Sequence, residues 1–559
     1  MKWTIRDKKY FKPYLQLVQN EYKKIGIGNI MAKVLLNRGY NYDDVKRMIT
    51  NPADCLDYPE ELYGCTDVSA AIINAVKKDK QIIIFADYDV DGLTAGYVMC
   101  TYLRKLGVNA TVYYPERNEG YGLSLSFLQK LKGDEVIITV DNGIGALPAI
   151  RYCKDNDITL IITDHHQPKE KIKDIPVCDP WCDPDGKGHH LCGAAVAWKI
   201  CMHIDEELNR EEAWKLTPYA AIGTVADVMP MTLENMAIVR TGLQMIEQGF
   251  APNIQKFFIA EGISQPTTVD VAWKLAPKLN AAGRMGKVSL ASDFLFYEGD
   301  ITGLEKHILN IDSINRDRKA LSKQAEEIAV AQNYDFDAFC LFDATEYPAG
   351  ISGLIANKLV EVFNKPAIVY TRTNSTTWPA SMRSNGFNLL PYLERLKQQS
   401  IIYDYGGHIQ ACGISLFPDL ETFQTKLNGY IRIPLSEFKQ EERVIDVDTE
   451  ISLADVSNKF MADIAMIPSD NNLFPEPIFI VKDLTVVDIE HSRNNPNNIK
   501  LHLVDKDKNF YKLWAWNKDK VYKSLGSPKN IDIIGKITRG FGNEAGNAVF
   551  NVEDLRCVT

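Results

Sequence analysis

The stretch QIIIFADYDVDG (81–92) decides the fold. An unbroken apolar run is followed by acids at every second position, Asp87, Asp89 and Asp91, and then by Gly92. A short continuous Ile-rich run marks a strand buried on both faces. Two further runs repeat the design. EVIITVDNG (135–143) ends in Asp141, Asn142 and Gly143, and TLIITDHH (159–166) ends in Asp164, His165 and His166. Helical patterns lie between them, TAGYVMCTYLRKLG and ALPAIRYCKDN, and TVYYP adds a strand. This alternation predicts an α/β fold with a parallel-sheet core. In open parallel sheets, ligands bind outside the carboxyl ends of the strands, so three acidic strand ends converge on one crevice. YAAIGTVADVMP (219–230) adds Asp227 within an apolar run, where a carboxylate needs a partner.

That many carboxylates cannot all stay ionised at close range without a cation. Oxygen-rich ligation with one or two imidazoles suits Mn²⁺ or Mg²⁺, and the number of candidate ligands suits two ions. Other readings exist for the same residues. DYDVDG resembles the start of a calcium EF-hand loop, but Val98 stands where the twelfth-position Glu belongs. Any one Asp is equally a helix cap or turn former; the three strand ends together favour the metal reading. Asp164 is read as the group that orients a histidine.

The remainder of the chain bounds the answer. Its 559 residues suit three to four domains, and 45% hydrophobic with 24% charged residues excludes a disordered, collagen-like or coiled-coil protein. No run is apolar enough to span a membrane, and MKWTIRDKKYFKPYLQ (1–16) has no apolar signal segment, so a cytoplasmic protein is expected. Eleven Cys, an odd count, fit free thiols. Residues 1–60 read as a helical N-terminal extension and 61–300 as the catalytic domain. Residues 301–332 read as a long connector helix, 333–435 as a second, smaller α/β domain, and 436–559 as a β-barrel of short alternating strands. CDPWCDPDGKGHHLC (178–192) holds Cys178, Cys182, His189, His190 and Cys192, zinc ligands by type but without paired CxxC spacing, so it reads either as a zinc site or as a loop beside the crevice.

DYDVDG (87–92), VDNG (140–143), TDHH (163–166) and GTVADV (223–228) together resemble the DHH phosphoesterase superfamily. HLCGAAVAWK (190–199), LNAAGR (279–284), GISGLIANKL (350–359), SMRS (381–384) and GGHIQACGIS (406–415) are similar to its RecJ branch, single-strand-specific 5′→3′ DNA exonucleases, and the tail ending FNVEDLR resembles that branch's OB-fold. The resemblance implies a DHH core, a DHH-associated domain and an OB-like barrel, and a metal-dependent exonuclease of DNA repair and recombination. It implies metal binding by Asp89, Asp91, Asp141, His165 and Asp227, with Asp87 a ligand or a neighbour of the ligands. His166 and Arg284, with Asp141, are the implied catalytic groups. Arg117, Arg284, Ser381, Arg383 and His408 are implied DNA contacts, with Ser381, Arg383 and Arg117 around a 5′-phosphate. Single-strand-binding protein and a helicase are implied partners of a monomer. The pattern departs from the family at Phe85 and Ala86 before the first motif, and at PSDNNLFPEP (468–477) before the barrel.

The net charge of −10 argues at first against a nucleic-acid partner. Residues 491–540, however, hold 11 Lys and Arg against 4 Asp and Glu, with Phe510, Tyr511, Trp514, Trp516 and Tyr522 interleaved. Basic grooves with aromatics suit single strands. Trp514 and Trp516 share strand parity and are expected to face the barrel core, which leaves Lys512, Lys518 and Lys520 as the strand contacts. Two competing functions are a DHH phosphodiesterase of oligoribonucleotides or cyclic dinucleotides and a non-catalytic DNA-binding member. The basic C-terminal domain argues against the first, the intact acids and DHH triplet against the second.

Overall fold

The computed structural model describes residues 2–6, 12–115, 122–334, 337–438, 444–469, 474–493, 495–540 and 546–558. They form two compact units: Tyr58–Asp227 with Gln244–Glu441, and Met1–Asp57 with Val228–Leu243 and Glu442–Thr559.

Strands are numbered along the chain from β1 (Lys2–Ile5). The first unit holds a parallel sheet of β2 (Ile82–Ala86), β3 (Ala110–Tyr113), β4 (Val136–Val140), β5 (Thr159–Thr163) and β6 (Val177–Cys178). Their order is β3-β2-β4-β5-β6. The order reverses at β2, and the three acid-bearing strands β2, β4 and β5 are immediate neighbours, the placement that forms a ligand crevice. β4 is buried along its whole length, as its unbroken VIITV predicts.

Helix Ile301–Val330 starts on an Asp300 cap, whose carboxylate accepts from Gly303 N at 2.8 Å. Its buried stripe, including Leu304, Ile308, Ile311, Ala325 and Ala329, packs against helices Ala276–Arg284 and Ser352–Phe363. Met285, Leu321 and Ile351 meet in one core there, so the two α/β parts of this unit are joined by shared apolar packing. The second sheet contains β7 (Cys340–Asp343), β8 (Ala367–Tyr370), β9 (Trp378–Arg383), β10 (Ile402–His408) and β11 (Ala411–Leu416), in the order β10-β11-β9-β8-β7.

In the other unit, residues 1–60 are not helical throughout. β1 pairs in parallel with β12 (Val444–Val447). That partner lies more than 400 residues away, beyond the reach of local periodicity. Helices Lys12–Lys24, Asn29–Arg38 and Tyr42–Thr50 follow β1. Arg38 forks onto Asp448, Nε to Oδ1 and Nη2 to Oδ2 both at 2.7 Å, with the two side chains only 4% and 2% exposed. The short β13 (Thr449–Glu450) leads to β14 (Phe479–His491), β15 (Ile499–Val504), β16 (Phe510–Ala515), β17 (Asn530–Arg539) and β18 (Ala548–Cys557). Pairing runs β14-β15-β16-β18-β17 and returns from β17 to β14, which closes a five-stranded barrel. Helix Asp519–Ser524 sits between its third and fourth strands. Among the described residues no helix is long and apolar enough to cross a membrane.

Candidate metal centre and strand-binding surfaces

Each acid reaches the crevice through a local device. After β2, Asp89 caps helix Val90–Lys105, accepting from Gly92 N at 3.1 Å, and the helix turn buries Asp91 behind it. Asp91 is held at both oxygens by the start of helix Gly193–Leu208, from Gly193 N at 2.6 Å and Ala194 N at 2.9 Å. The helix N-terminus thus offsets the buried charge. After β4, Asp141 adopts φ +60°, a left-handed conformation uncommon for residues other than glycine and concentrated at functional sites. Asn142 Nδ2 donates to Phe85 O at 3.1 Å and to Val140 O at 2.8 Å, stitching the ends of β2 and β4 together.

After β5, Asp164 organises the DHH triplet. Its Oδ2 accepts from Ile144 N at 2.9 Å, and its Oδ1 accepts from His165 N at 2.8 Å and pairs with His166 Nδ1 at 2.7 Å. His165 Nε2 then stands 3.1 Å from Asp141 Oδ1, 3.7 Å from Asp91 Oδ2 and 3.8 Å from Asp227 Oδ2. Asp227 arrives as the C-cap of helix Thr217–Ala226, its side chain 35% exposed.

Three sets of donor atoms lie within 4.8 Å of one another: Asp87, Asp89 and Asp141; Asp91, His165 and Asp227; and Asp141, His165 and His166. Burial, reinforced by Asp91, Asp89, Asp87 and Asp227, pushes the Asp141 carboxyl well above its ordinary range. Burial and then Asp91 raise Asp89, and burial with Asp91 and Asp89 lifts Asp227 to about 8. Burial lowers His165. Asp141 Oδ1 is buried and makes no hydrogen bond, although His165 Nε2 stands close by. Mutually repelling carboxylates, a neutral imidazole and an unsatisfied buried oxygen fit a divalent-cation centre of oxygen and nitrogen donors. Of the six proposed ligands, the structure therefore gathers all: Asp87, Asp89, Asp91, Asp141, His165 and Asp227. Asp164 stays apart as their organiser. Burial alone would raise it, but the His166 hydrogen bond holds it below the ordinary range. Burial opposes charge on His166, yet the bond to Asp164 lifts that imidazole to about 9.

The second α/β part supplies arginines to the same region. Helix Ala276–Arg284 docks on the first motif: Asn280 Oδ1 accepts from Val90 N at 3.2 Å, and a Cβ on Gly283 would stand 2.5 Å from Tyr88 O. Arg284 Nη1 donates to Gly350 O at 3.1 Å. Arg383, on β9, lies over Gly353, where a Cβ would stand 2.6 Å from its Nη2. The GISG segment is therefore the seat for both arginines. Ser381 and Arg383 alternate along β9 and share a face, and Arg383 and His408 both register with Ala411, so they lie in one cross-strand row. Arg117 lies outside the described residues.

On the barrel, Trp514 and Trp516 do not face the core. Ile499, Leu501 and Leu503 of β15 point inward, and their β16 partners are Ala515, Leu513 and Tyr511. Trp514 instead pairs with Lys500 and Lys512 with His502 on the outer face. Trp514 and Trp516 stack at 5.1 Å and 14°, Trp516 is 45% exposed, and Lys500 Nζ lies 5.4 Å over the Trp514 ring. Shared parity was legible in the sequence; which parity faces inward is set by register with β15. Lys512 and Lys520 are exposed, and Lys518 precedes helix Asp519–Ser524.

In the 178–192 loop, His189 stacks on Trp181 and its Nε2 lies 2.9 Å from both Pro180 O and Asp183 O, while Cys192 caps helix Gly193–Leu208. Among the described residues, no group able to hold an ion draws on this loop. Sequence reasoning placed Asn142 at the strand end without giving it a role, and did not single out Gly193, Gly223 or Asn280. A Cβ at Gly193 would stand 2.4 Å from Asp141 Cβ, and one at Gly223 2.5 Å from Asp91 Oδ1. Both glycines lie inside quoted motifs, HLCGAAVAWK and GTVADV, and that was their signal.

Two family profiles match the chain: "DHH family, N-terminal domain" over residues 81–224 and "RecJ OB domain" over 447–554. The single-stranded-DNA-specific exonuclease RecJ of Bacillus subtilis (strain 168) is 29% identical over 556 residues, covering 96% of this chain and 68% of that protein. The crystal structure of RecJ in complex with Mn²⁺ from Thermus thermophilus has the same fold, with a TM-score of 0.80 at 22% identity over 100% of this chain and 80% of that one. A crystal structure of exonuclease RecJ bound to manganese gives a TM-score of 0.60 at 26% identity over 69% of this chain and 97% of that one. The motifs, the sheet that gathers them and the closed barrel agree with these likenesses: the chain carries a DHH-family N-terminal domain and a RecJ OB domain, and it is similar to RecJ exonucleases over nearly its whole length.

Proposed function

We propose that this protein is a metal-dependent exonuclease that hydrolyses single-stranded DNA from its 5′ end. One observation carries the reading: the carboxylate–imidazole centre and the two arginines seated on the GISG segment belong to one compact unit, joined by a shared core.

Asp87, Asp89, Asp91, Asp141, His165 and Asp227 would hold two divalent ions, Mn²⁺ or Mg²⁺. When bound, such ions supply Lewis-acid activation of water and of the phosphodiester. His166 is kept protonated by Asp164, which pairs with its Nδ1, and the imidazolium donates to the scissile phosphate or to the departing O3′. The Arg284 guanidinium balances charge developing on the same phosphate. Ser381 and Arg383 receive the terminal 5′-phosphate, with Arg117 and His408 as further contacts. Hydrolysis breaks the P–O3′ bond beyond the terminal nucleotide, adds the water oxygen to phosphorus and returns a proton to O3′. On the barrel, the Trp514–Trp516 pair offers a stacking surface, with Lys512, Lys518 and Lys520 for phosphates. The reading places the protein in the cytoplasm as a monomer, working with a single-strand-binding protein and a helicase in repair and recombination.

The test is digestion of single strands labelled at either end, with Mn²⁺ or Mg²⁺ and with or without a 5′-phosphate. Mononucleotide release from the 5′ label is the expected result. Release from the 3′ end overturns the polarity, and cleavage of dinucleotides alone overturns the exonuclease reading.

A further inference from the structure

We infer that Trp273 is a base-stacking platform that engages the single strand on the 3′ side of the phosphate at Arg284 and gives the enzyme a preference for strands several nucleotides long; this rests on the function proposed above. At 75% exposed, Trp273 is the most exposed large apolar side chain among the described residues. Such surface comes at the expense of burial, which alone would favour turning the indole inward. The chain holds it in place by a departure from regular structure: Val271–Leu275 form a π-turn between Thr268–Asp270 and helix Ala276–Arg284. Single π-turns within helices occur often at functional sites.

The direction of the helix links this side chain to the chemistry. Trp273, Pro277, Asn280 and Arg284 follow the spacing of one helical face, and all four are exposed or half-buried while Leu275, Leu279 and Ala282 are buried. Asn280 on that face bonds the first metal motif through Val90 N, and Arg284 at its end bonds Gly350 O. From Trp273 to Arg284 the face runs roughly 16 Å, a few nucleotides of strand. The cations near Trp273 are already committed. Lys274 lies 3.7 Å from Asp270, and Lys278 is 2.6 Å from both Glu261 and Asp312. What the face offers a strand at this distance is therefore the flat apolar surface of the indole, and every base has a flat face to match it.

The experiment compares wild type, Trp273→Ala and Trp273→Phe on oligo(dT) substrates from 2 to 20 nucleotides, with Mn²⁺ present. The side chain is exposed, so equal thermal melting of the three proteins checks that folding is unchanged. Trp273→Ala is expected to raise KM about 5- to 100-fold on long strands with little change in kcat, and to match wild type on the shortest. Trp273→Phe is expected to retain most of the long-strand advantage. Quenching of tryptophan fluorescence by oligo(dT) should be smaller in Trp273→Phe. Identical KM values for wild type and Trp273→Ala at every length overturn the inference and point to a protein partner for this side chain. If wild type digests no single strand at all, it is the proposed function that fails instead.

Discussion

Asp164 and His166 share a short bond, Oδ1 to Nδ1 at 2.7 Å, and the opposite oxygen of Asp164 is fixed by Ile144 N. The aspartate is buried, the histidine half in solvent, and the pair fixes both the tautomer and the charge of the ring that faces the crevice. Asp164→Asn keeps the shape and removes that control. It is expected to lower kcat by about 100-fold or more while KM changes little. Steady-state kinetics on a single strand longer than ten nucleotides check this, and an unchanged kcat would remove His166 from the proposed mechanism.

The metal centre makes a thermodynamic prediction that does not depend on turnover. A cation that binds only the folded state stabilises it in proportion to the logarithm of its concentration. Mn²⁺ is expected to raise the melting temperature of chelator-treated wild type. Asp141→Asn removes one of the crowded carboxylates, so its metal-free form is expected to melt at or above wild type and to respond weakly to Mn²⁺. Thermal melts across a Mn²⁺ titration separate the two behaviours.

Gly193 is predicted to be intolerant of a methyl group. The Cβ of Gly193→Ala would stand 2.4 Å from Asp141 Cβ, between the helix end that holds Asp91 and the strand end that presents Asp141. Displacement of either is expected to cost about 1–3 kcal/mol of stability and to weaken Mn²⁺ binding together with activity. Urea unfolding and a metal titration of the same variant test both halves.

In the barrel-bearing unit, Arg38 and Asp448 form a buried fork that also reaches Pro475 O at 2.7 Å. Arg38→Ala leaves Asp448 buried without its ion partner and is expected to cost about 3–5 kcal/mol. The double variant Arg38→Met with Asp448→Leu should recover much of that loss. Chemical unfolding of the three proteins checks the comparison.

On the barrel's outer face, stacking and charge predict different signatures. Trp514→Ala with Trp516→Ala is expected to weaken single-strand binding about tenfold or more with an unchanged salt slope. Lys512→Ala is expected to reduce that slope by about one. Fluorescence anisotropy of a labelled oligonucleotide across a salt series distinguishes them.

Much of the crevice was legible because its ligands sit at the ends of three apolar runs, and strand ends of a parallel sheet share one rim. Asp87, Asp89, Asp91, Asp141, Asp164, His165 and His166 could be located in that way before any coordinate. Asp227 was flagged by its own anomaly, a carboxylate within an apolar helix. The glycines at 193 and 223 were not read, because a missing Cβ has meaning only against the atom that would collide with it. Trp514 and Trp516 turn to the face opposite the expected one, since alternation gives two parities and no rule for choosing between them until β15 is in place.

The sequence by itself determined the parallel sheet, the acids at its rim and the basic, aromatic character of the last domain. These follow from patterns within about ten residues, where periodicity and strand ends fix burial. Tertiary structure alone decided which groups meet. It brought β1 to β12 across more than 400 residues, seated Arg284 and Arg383 on the GISG segment, turned the barrel tryptophans outward and left Trp273 exposed on its π-turn. Those outcomes depend on contacts between residues far apart in the chain, and no local pattern encodes the partner.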